Sequence, residues 1–61
     1  MPMTGKEMVK LLKKHGWEIR HNRGGHTSMV KDGKTIPIPN HGSKELKKGT
    51  ELAILRQAGL R

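Results

Sequence analysis

The sequence predicts an α+β domain in the order helix, three antiparallel strands, helix (α-β-β-β-α). Apolar residues recur at helical spacing near both ends of the chain. Between these segments lie three short runs with the composition of strands, separated by glycine-containing turns. Both helices are expected to cover one face of the three-stranded sheet and to leave the other face open.

The first helix is expected to begin at about residue 5. Thr4 and Glu7 have the spacing of a capping box, in which each side chain accepts a hydrogen bond from a backbone N–H at the helix start. Gly16 stands where a helix terminator is expected. The stripe at helical spacing comprises Met8, Val9, Leu11, Leu12 and His15.

The first strand is predicted over residues 17–21, which alternate apolar and polar side chains. This alternation directs Trp17 and Ile19 inward, and by parity His21 shares their face at the end of the strand. Residues 22–25 are expected to form the turn that follows.

The second strand is predicted over residues 26–31, and its facing is open because Met29 and Val30 are both apolar. If Met29 points into the core, His26 lies on the open face of the sheet. If Val30 does, His26 sits at the sheet margin near the loop.

The third strand is predicted over residues 34–39, after a two-residue hairpin at Asp32-Gly33. Pro37 and Pro39 remove backbone donors from one side only, which places this strand at a sheet edge with the prolines outward. Two isoleucines then share the core face, namely Ile36 and Ile38.

The remainder of the chain is expected to be a loop over residues 40–43, a basic connection over 44–48 anchored by Leu46, and a second helix. This helix should open at Gly49-Thr50, with the threonine near its cap, and end at Gly59. Its buried surface is expected from Leu52, Ala53, Ile54, Leu55 and Ala58.

Composition limits the classes of function. Sixty-one residues are expected to form one domain, 1–61, and the absence of cysteine excludes disulfides, thiolate zinc sites and a cysteine nucleophile. Thirteen Lys and Arg against five Asp and Glu give a net charge of +8, which favours a partner rich in phosphate or carboxylate. The single aromatic residue argues against binding to a membrane surface. No apolar run is long enough for a transmembrane span or a signal peptide, so a cytoplasmic protein is expected.

His26 is the first candidate for function because it follows the flexible pair Gly24-Gly25, which leaves little side chain to obstruct a bulky polyanion. RNA supplies its own nucleophile, the 2′-hydroxyl, so a cleaving protein needs proton transfer and positive charge and strictly requires no metal or other cofactor. An imidazole transfers protons near neutral pH. The alternative is that the glycines form only a hairpin loop and that His26 is an exposed strand residue.

His21 and His41 are candidates for a second proton-transfer group, although a loop histidine is more often merely solvated. A zinc site formed by these two and His26 is not expected, because no close spacing, carboxylate or cysteine supports it.

Basic residues supply the candidate RNA contacts. Arg23 or Lys31 is expected to contact phosphate beside His26, and the backbone at Gly24 and Gly25 to lie close to the ligand. A solvated charged surface is the alternative for the lysines. The candidate phosphate-binding patch comprises Lys31, Lys34, Lys44, Lys47 and Lys48.

Short motifs in a fixed order extend over nearly the whole chain. They are Thr4-Gly5-Lys6-Glu7 with Leu12, Gly16-Trp17, Gly24-Gly25-His26, Ile36-Pro37-Ile38-Pro39-Asn40-His41, Leu46-Lys47-Lys48-Gly49-Thr50 and Ile54-Leu55-Arg56-Gln57-Ala58-Gly59-Leu60. With these motifs the chain resembles the HicA toxins of bacterial HicA–HicB toxin-antitoxin systems.

The resemblance implies a small toxin that cleaves mRNA, has a fold like the double-stranded-RNA-binding domain, and is held inactive by a HicB antitoxin. It also implies that His26 is the catalytic histidine. The chain departs from the family pattern at Gly25, where serine is usual, and at His21, where a basic residue such as arginine is common.

Two other classes of function fit the same charge. The first alternative is a non-catalytic RNA-binding module of the same fold, in which His26 only contacts phosphate. The second is an interaction protein whose basic surface serves only an acidic partner, and it predicts no RNA affinity at physiological salt.

Overall fold

The computed structural model describes residues 3–41 and 44–61 and confirms the α+β prediction. Its elements are α1 (Gly5–Lys14), β1 (Glu18–Arg23), β2 (His26–Lys31), β3 (Lys34–Pro39) and α2 (Lys48–Gln57). The three strands form one antiparallel sheet in the order β1-β2-β3. Gly42 and Ser43, which belong to the predicted loop, lie outside the described residues. No helix in the two described ranges combines the length and the apolar character needed to cross a lipid bilayer.

α1 begins and ends as its sequence predicts. The Thr4 N–H donates to a Glu7 carboxylate oxygen at 2.9 Å, and the Glu7 N–H donates to the Thr4 hydroxyl at 3.1 Å, which completes the capping box. After Lys14, Gly16 takes a φ of 94°, a conformation that glycine adopts without strain. The capping box and the glycine therefore fix both ends of α1.

The hydrophobic core lies between the two helices and one face of the sheet. Met8 and Leu12 of α1 and Ile54 of α2 join the same buried cluster as the sheet residues. The indole Nε1 of Trp17 is also buried there, and it finds no hydrogen-bond partner among the described residues. The cluster comprises Met8, Val9, Leu12, Trp17, Met29, Ile36, Ile38, Leu46 and Ile54.

β2 directs Met29 into the core. Met29 and Thr27 are buried, whereas Ser28 and Val30 between and beyond them are half-buried and His26 is exposed. Alternate residues of a strand point to opposite faces. His26 therefore lies on the open face of the sheet, as the first of the two alternatives predicts.

β1 departs from the sequence prediction. It continues to Arg23, so the turn consists of Gly24-Gly25 alone, with φ values of 55° and 80°. The pairing register shifts between Ile19 and His21, as in a β-bulge. Ile19 pairs with core-facing Met29 and so lies on the predicted face, but its side chain is 41% exposed because β1 is an edge strand. The parity prediction for His21 is wrong, because the shift pairs it with Ser28 of the open face.

β3 confirms the prediction of a proline-containing edge strand. It lies at the sheet edge, it follows the two-residue turn at Asp32-Gly33, and its register with β2 runs from Lys34 to Pro39. Pro37 is exposed, and both isoleucines are buried, with Ile36 at 2% and Ile38 at 0% exposure. The edge position explains how one strand accommodates two residues without a backbone donor.

α2 begins earlier than predicted. Lys47 is its N-cap, and the Glu51 N–H donates to the Lys47 carbonyl at 2.9 Å. Thr50 is therefore the third residue of the helix and not its cap, and the start predicted at Gly49-Thr50 is wrong by one residue. The predicted burial of Ala53 is also wrong, since it is exposed. Ile54 is buried, and three of the predicted residues are half-buried, namely Leu52, Leu55 and Ala58.

Candidate active site

His26 is the first residue of β2 and follows the glycine turn directly. It pairs with Arg23 of β1 on one side and with Pro39 of β3 on the other. Paired residues of an antiparallel sheet project from the same face. The guanidinium side chain therefore shares the open face with the imidazole, and both residues are exposed.

A chain of side-chain hydrogen bonds directly behind His26 joins β1, β2 and the residue that follows β3. The Thr27 hydroxyl donates to the Asn22 amide oxygen at 3.2 Å and accepts from the Asn40 Nδ2 at 3.3 Å. Thr27 is only 1% exposed, so this hydroxyl is a buried polar group with both a donor and an acceptor role filled. The backbone that carries His26 is thereby tied to both neighbouring strands.

The same region brings a second histidine to His26. The Asn40 N–H donates to the Gly25 carbonyl at 2.7 Å and extends the pairing of β3 past Pro39. The next residue, His41, lies with its ring edge-on to that of His26, with centroids 5.4 Å apart and an interplanar angle of 81°. The structure therefore brings together two of the predicted histidines.

An open cleft of about 410 Å³ begins at this pair. It also contains two lysines and one carboxylate from the segment that leads into α2. The cleft is lined by His26, Pro39, His41, Lys44, Glu45, Leu46, Lys47 and Thr50.

The segment that lines the cleft is held by the start of the chain. The Leu46 N–H donates to the Met3 carbonyl at 2.7 Å, and Thr4 forms an isolated antiparallel bridge with Glu45. The Met3 N–H donates to a Glu51 carboxylate oxygen at 3.1 Å. These contacts join the beginning of α1 to the first turn of α2 and position the two cleft lysines.

The beginning of α2 adds positive potential to the cleft. Lys47 caps the helix without a side-chain hydrogen bond, and Thr50 of the first turn lines the cleft. The first N–H groups of a helix lack partners within the helix and favour anions. The cleft thus combines two histidines, two lysines and the positive end of a ten-residue helix.

The structure separates Lys31 and Lys34 from this site. They pair with each other at the opposite end of the β2–β3 hairpin, about 16 Å from His26 at 3.3 Å per strand residue. Lys31 donates from Nζ to the His15 carbonyl at 2.8 Å. Of the two alternatives for the basic residue beside His26, Arg23 therefore lies there and Lys31 does not.

The remaining predicted residues do not line the cleft. Lys48 is the exposed first residue of α2. His21 lies on the open face with its Nε2 3.4 Å from the Ser28 hydroxyl, in a shallow depression shared with Asn22 and Arg23. Within residues 3–41 and 44–61, no three His, Asp or Glu side chains are close enough to hold a metal ion together.

Sequence reasoning did not identify the Asn22, Thr27 and Asn40 network or the carboxylate of Glu45. Of these residues, Thr27 is the one that the sequence pattern could have identified. A threonine two residues before a core methionine in a strand belongs to the core face, where its hydroxyl requires partners.

Comparison with known proteins identifies the family of this chain. The profile of a family described as "HicA toxin of bacterial toxin-antitoxin" matches residues 5–60. A similar protein of Pseudomonas fluorescens (strain Pf0-1), named "Probable mRNA interferase HicA", is 34% identical over 59 residues, which cover 97% of this chain and 98% of that protein. By this nearly full-length match, the chain belongs to the HicA toxin family.

Proposed function

We propose that this chain is a toxin of a toxin-antitoxin system and acts as an endoribonuclease that cleaves mRNA, with His26 as a catalytic residue. The observation that carries the proposal is the exposed imidazole at the mouth of a basic cleft, in a chain whose relative is named an mRNA interferase. We propose that one domain, residues 1–61, performs the reaction.

The proposed reaction uses the RNA 2′-hydroxyl as nucleophile. A base removes the proton from this hydroxyl, the 2′-oxygen bonds to the adjacent phosphorus, and the bond from phosphorus to the 5′-oxygen breaks. An acid gives a proton to the departing 5′-oxygen. The products are a 2′,3′-cyclic phosphate and a 5′-hydroxyl, and every proton is moved by side chains, so we propose that no metal ion is required.

Positive groups around His26 support binding of the scissile phosphate. Arg23 shares its sheet face, and Lys44 and Lys47 line the cleft beyond it. Charges placed close to the phosphate stabilise the additional negative charge of the transition state. We therefore assign these three side chains to phosphate contact and leave Lys31 and Lys34, at the far end of the hairpin, as contacts for more distant parts of the strand.

The proposed partner besides mRNA is a HicB-type antitoxin. A protein that covers the cleft would inhibit by occupying the phosphate site, and its contact surface would need carboxylates to match Arg23, Lys44 and Lys47. Because its substrate is mRNA, the proposed place of action is the cytoplasm.

The test of this function is an assay of the purified chain on a single-stranded RNA oligonucleotide with EDTA present. The expected products carry 2′,3′-cyclic phosphate and 5′-hydroxyl ends. A DNA oligonucleotide of the same sequence is the matched control and should remain intact because it has no 2′-hydroxyl. Binding of RNA without cleavage would overturn the proposal and favour the non-catalytic RNA-binding module.

A further inference from the structure

We propose that His41 is the second proton-transfer group and that the missing side chain of Gly25 is what allows it to reach His26. This inference rests on the proposed ribonuclease function. It assigns one proton transfer to each histidine, with one ring accepting the 2′-hydroxyl proton and the other donating a proton to the departing 5′-oxygen.

Hydrogen bonds between the neighbours of His26 and His41 position the two rings. His26 precedes Thr27 and His41 follows Asn40, and these two neighbours are hydrogen-bonded through their side chains at 3.3 Å. The Asn40 N–H bonds in addition to the Gly25 carbonyl. With centroids 5.4 Å apart, the two rings are close enough to contact oxygens of one phosphodiester.

Gly25 lies directly under the His41 ring. A Cβ atom at this position would lie 2.6 Å from both Cε1 and Nδ1 of His41, which is too close for any side chain. The nearby atoms belong to an exposed side chain, so the imidazole would move away and the backbone would stay. A residue larger than glycine is thus expected to separate the two histidines while it leaves His26 in place.

Gly24 provides the matched comparison. It has the same kind of left-handed backbone, with φ of 55° against 80° for Gly25. A Cβ atom at Gly24 would meet nothing within 4 Å. Alanine at either position therefore imposes similar backbone strain, but only alanine at Gly25 displaces His41.

Charged side chains face the His26–His41 pair from β1 and from the segment before α2. Arg23 faces it from β1, and Lys44, Glu45 and Lys47 face it from the segment before α2. An acid and a base acting together predict a bell-shaped dependence of the cleavage rate on pH. Removal of one histidine should abolish one limb of that bell, which a purely structural role of His41 would not do.

The deciding experiment measures cleavage of two substrates by the parent chain, His26→Ala and His41→Ala. One substrate is an RNA dinucleotide, and the other carries a 5′-thiol leaving group, which departs as a thiolate and needs no proton. On ordinary RNA both variants should lose at least about 100-fold in rate. On the thiolate substrate the variant that lacks the acid should recover to near the parental rate, whereas the variant that lacks the base should stay slow.

Recovery of one single variant supports the pair, and it also identifies which histidine is the acid. Two results would overturn the inference and leave the ribonuclease proposal standing. One is a His41→Ala protein that cleaves RNA at the parental rate. The other is loss of activity by both variants on both substrates. His26→Ala with the parental rate would contradict the proposed function itself. Circular dichroism of each variant confirms that it is folded.

The glycine variants test the steric part of the inference with both histidines present. Gly25→Ala should reproduce the ratio of the two substrate rates seen for His41→Ala. Gly24→Ala should change the cleavage rates of both substrates by the same factor, so that the ratio of the two rates stays at the parental value. A parental ratio in Gly25→Ala would show that the separation of the rings does not affect proton transfer, and would overturn the role assigned to Gly25.

Discussion

At the scale of single residues, Thr27 links the core of the domain to His26. Its hydroxyl is buried, accepts from Asn40 and donates to Asn22. A buried polar group without a partner costs free energy, so the three residues depend on one another. The residue next to His26 therefore contributes both to stability and to the position of His26.

Replacement of Thr27 by valine keeps the shape of the side chain and removes the hydroxyl. We expect the free energy of unfolding to fall by about 1–2 kcal/mol, because Asn40 loses its acceptor and Asn22 its donor. Urea denaturation followed by circular dichroism measures this change. Thr35→Val is the control: Thr35 is exposed on β3, and its replacement should change stability by less than about 0.5 kcal/mol. Equal effects of the two changes would contradict the role of the network.

At the scale of the elements, the start of α1 packs against the end of β3 through a glycine. A Cβ atom at Gly5 would overlap the Pro39 carbonyl oxygen and lie 2.8 Å from the Asn40 Cα. These are backbone atoms, which cannot rotate away as a side chain does. The close approach of helix to strand supports the segment on which Asn40 and His41 lie.

Gly5→Ala is expected to lower the free energy of unfolding by about 1–3 kcal/mol, because the helix must move away from β3. Gly49→Ala is the matched change in α2, where a Cβ atom meets nothing within 4 Å. Alanine there should be neutral or stabilising by up to about 1 kcal/mol, since it has the higher helix propensity. Thermal denaturation of both variants measures these changes. A Gly5→Ala protein as stable as the parent would contradict the close packing of α1 against β3.

At the scale of the whole molecule, the positive charge is spread beyond the cleft at His26. The chain carries a net charge of +8, and lysines lie at the cleft, at the far end of the hairpin and on the exposed side of α1. Long-range attraction of RNA depends on all of them, whereas direct phosphate contact depends on where each lies. The salt dependence of binding distinguishes the two contributions.

Replacement of Lys44 and Lys47 by glutamine should weaken RNA binding and lower the slope of log affinity against log salt concentration by about 0.7 for each phosphate that is no longer neutralised. The control replaces Lys6 and Lys13, two exposed lysines of α1, by glutamine and removes the same charge. Fluorescence anisotropy over a series of salt concentrations measures both. Equal slopes for the two double variants would mean that the cleft lysines do not contact phosphate.

Much of this fold was predictable because its ends and edges carry local signals. The capping box at Thr4, the hairpin at Asp32-Gly33 and the prolines of β3 each act within a few residues. The bulge in β1 has no such signal, since it depends on pairing with β2, and the facing of His21 follows from it. The contact of His41 with His26 likewise depends on a hydrogen bond between Asn40 and Gly25, which are 15 positions apart in the chain.

The measurement that tests the central claim most directly is the rate of RNA cleavage by His26→Ala in the presence of EDTA, beside the parent chain and His15→Ala. His15 is an exposed histidine at the end of α1 and lies outside the cleft. We expect His15→Ala to keep the parental rate and His26→Ala to lose at least about 100-fold while it remains folded by circular dichroism. Cleavage by His26→Ala at the parental rate would contradict a ribonuclease centred on this histidine.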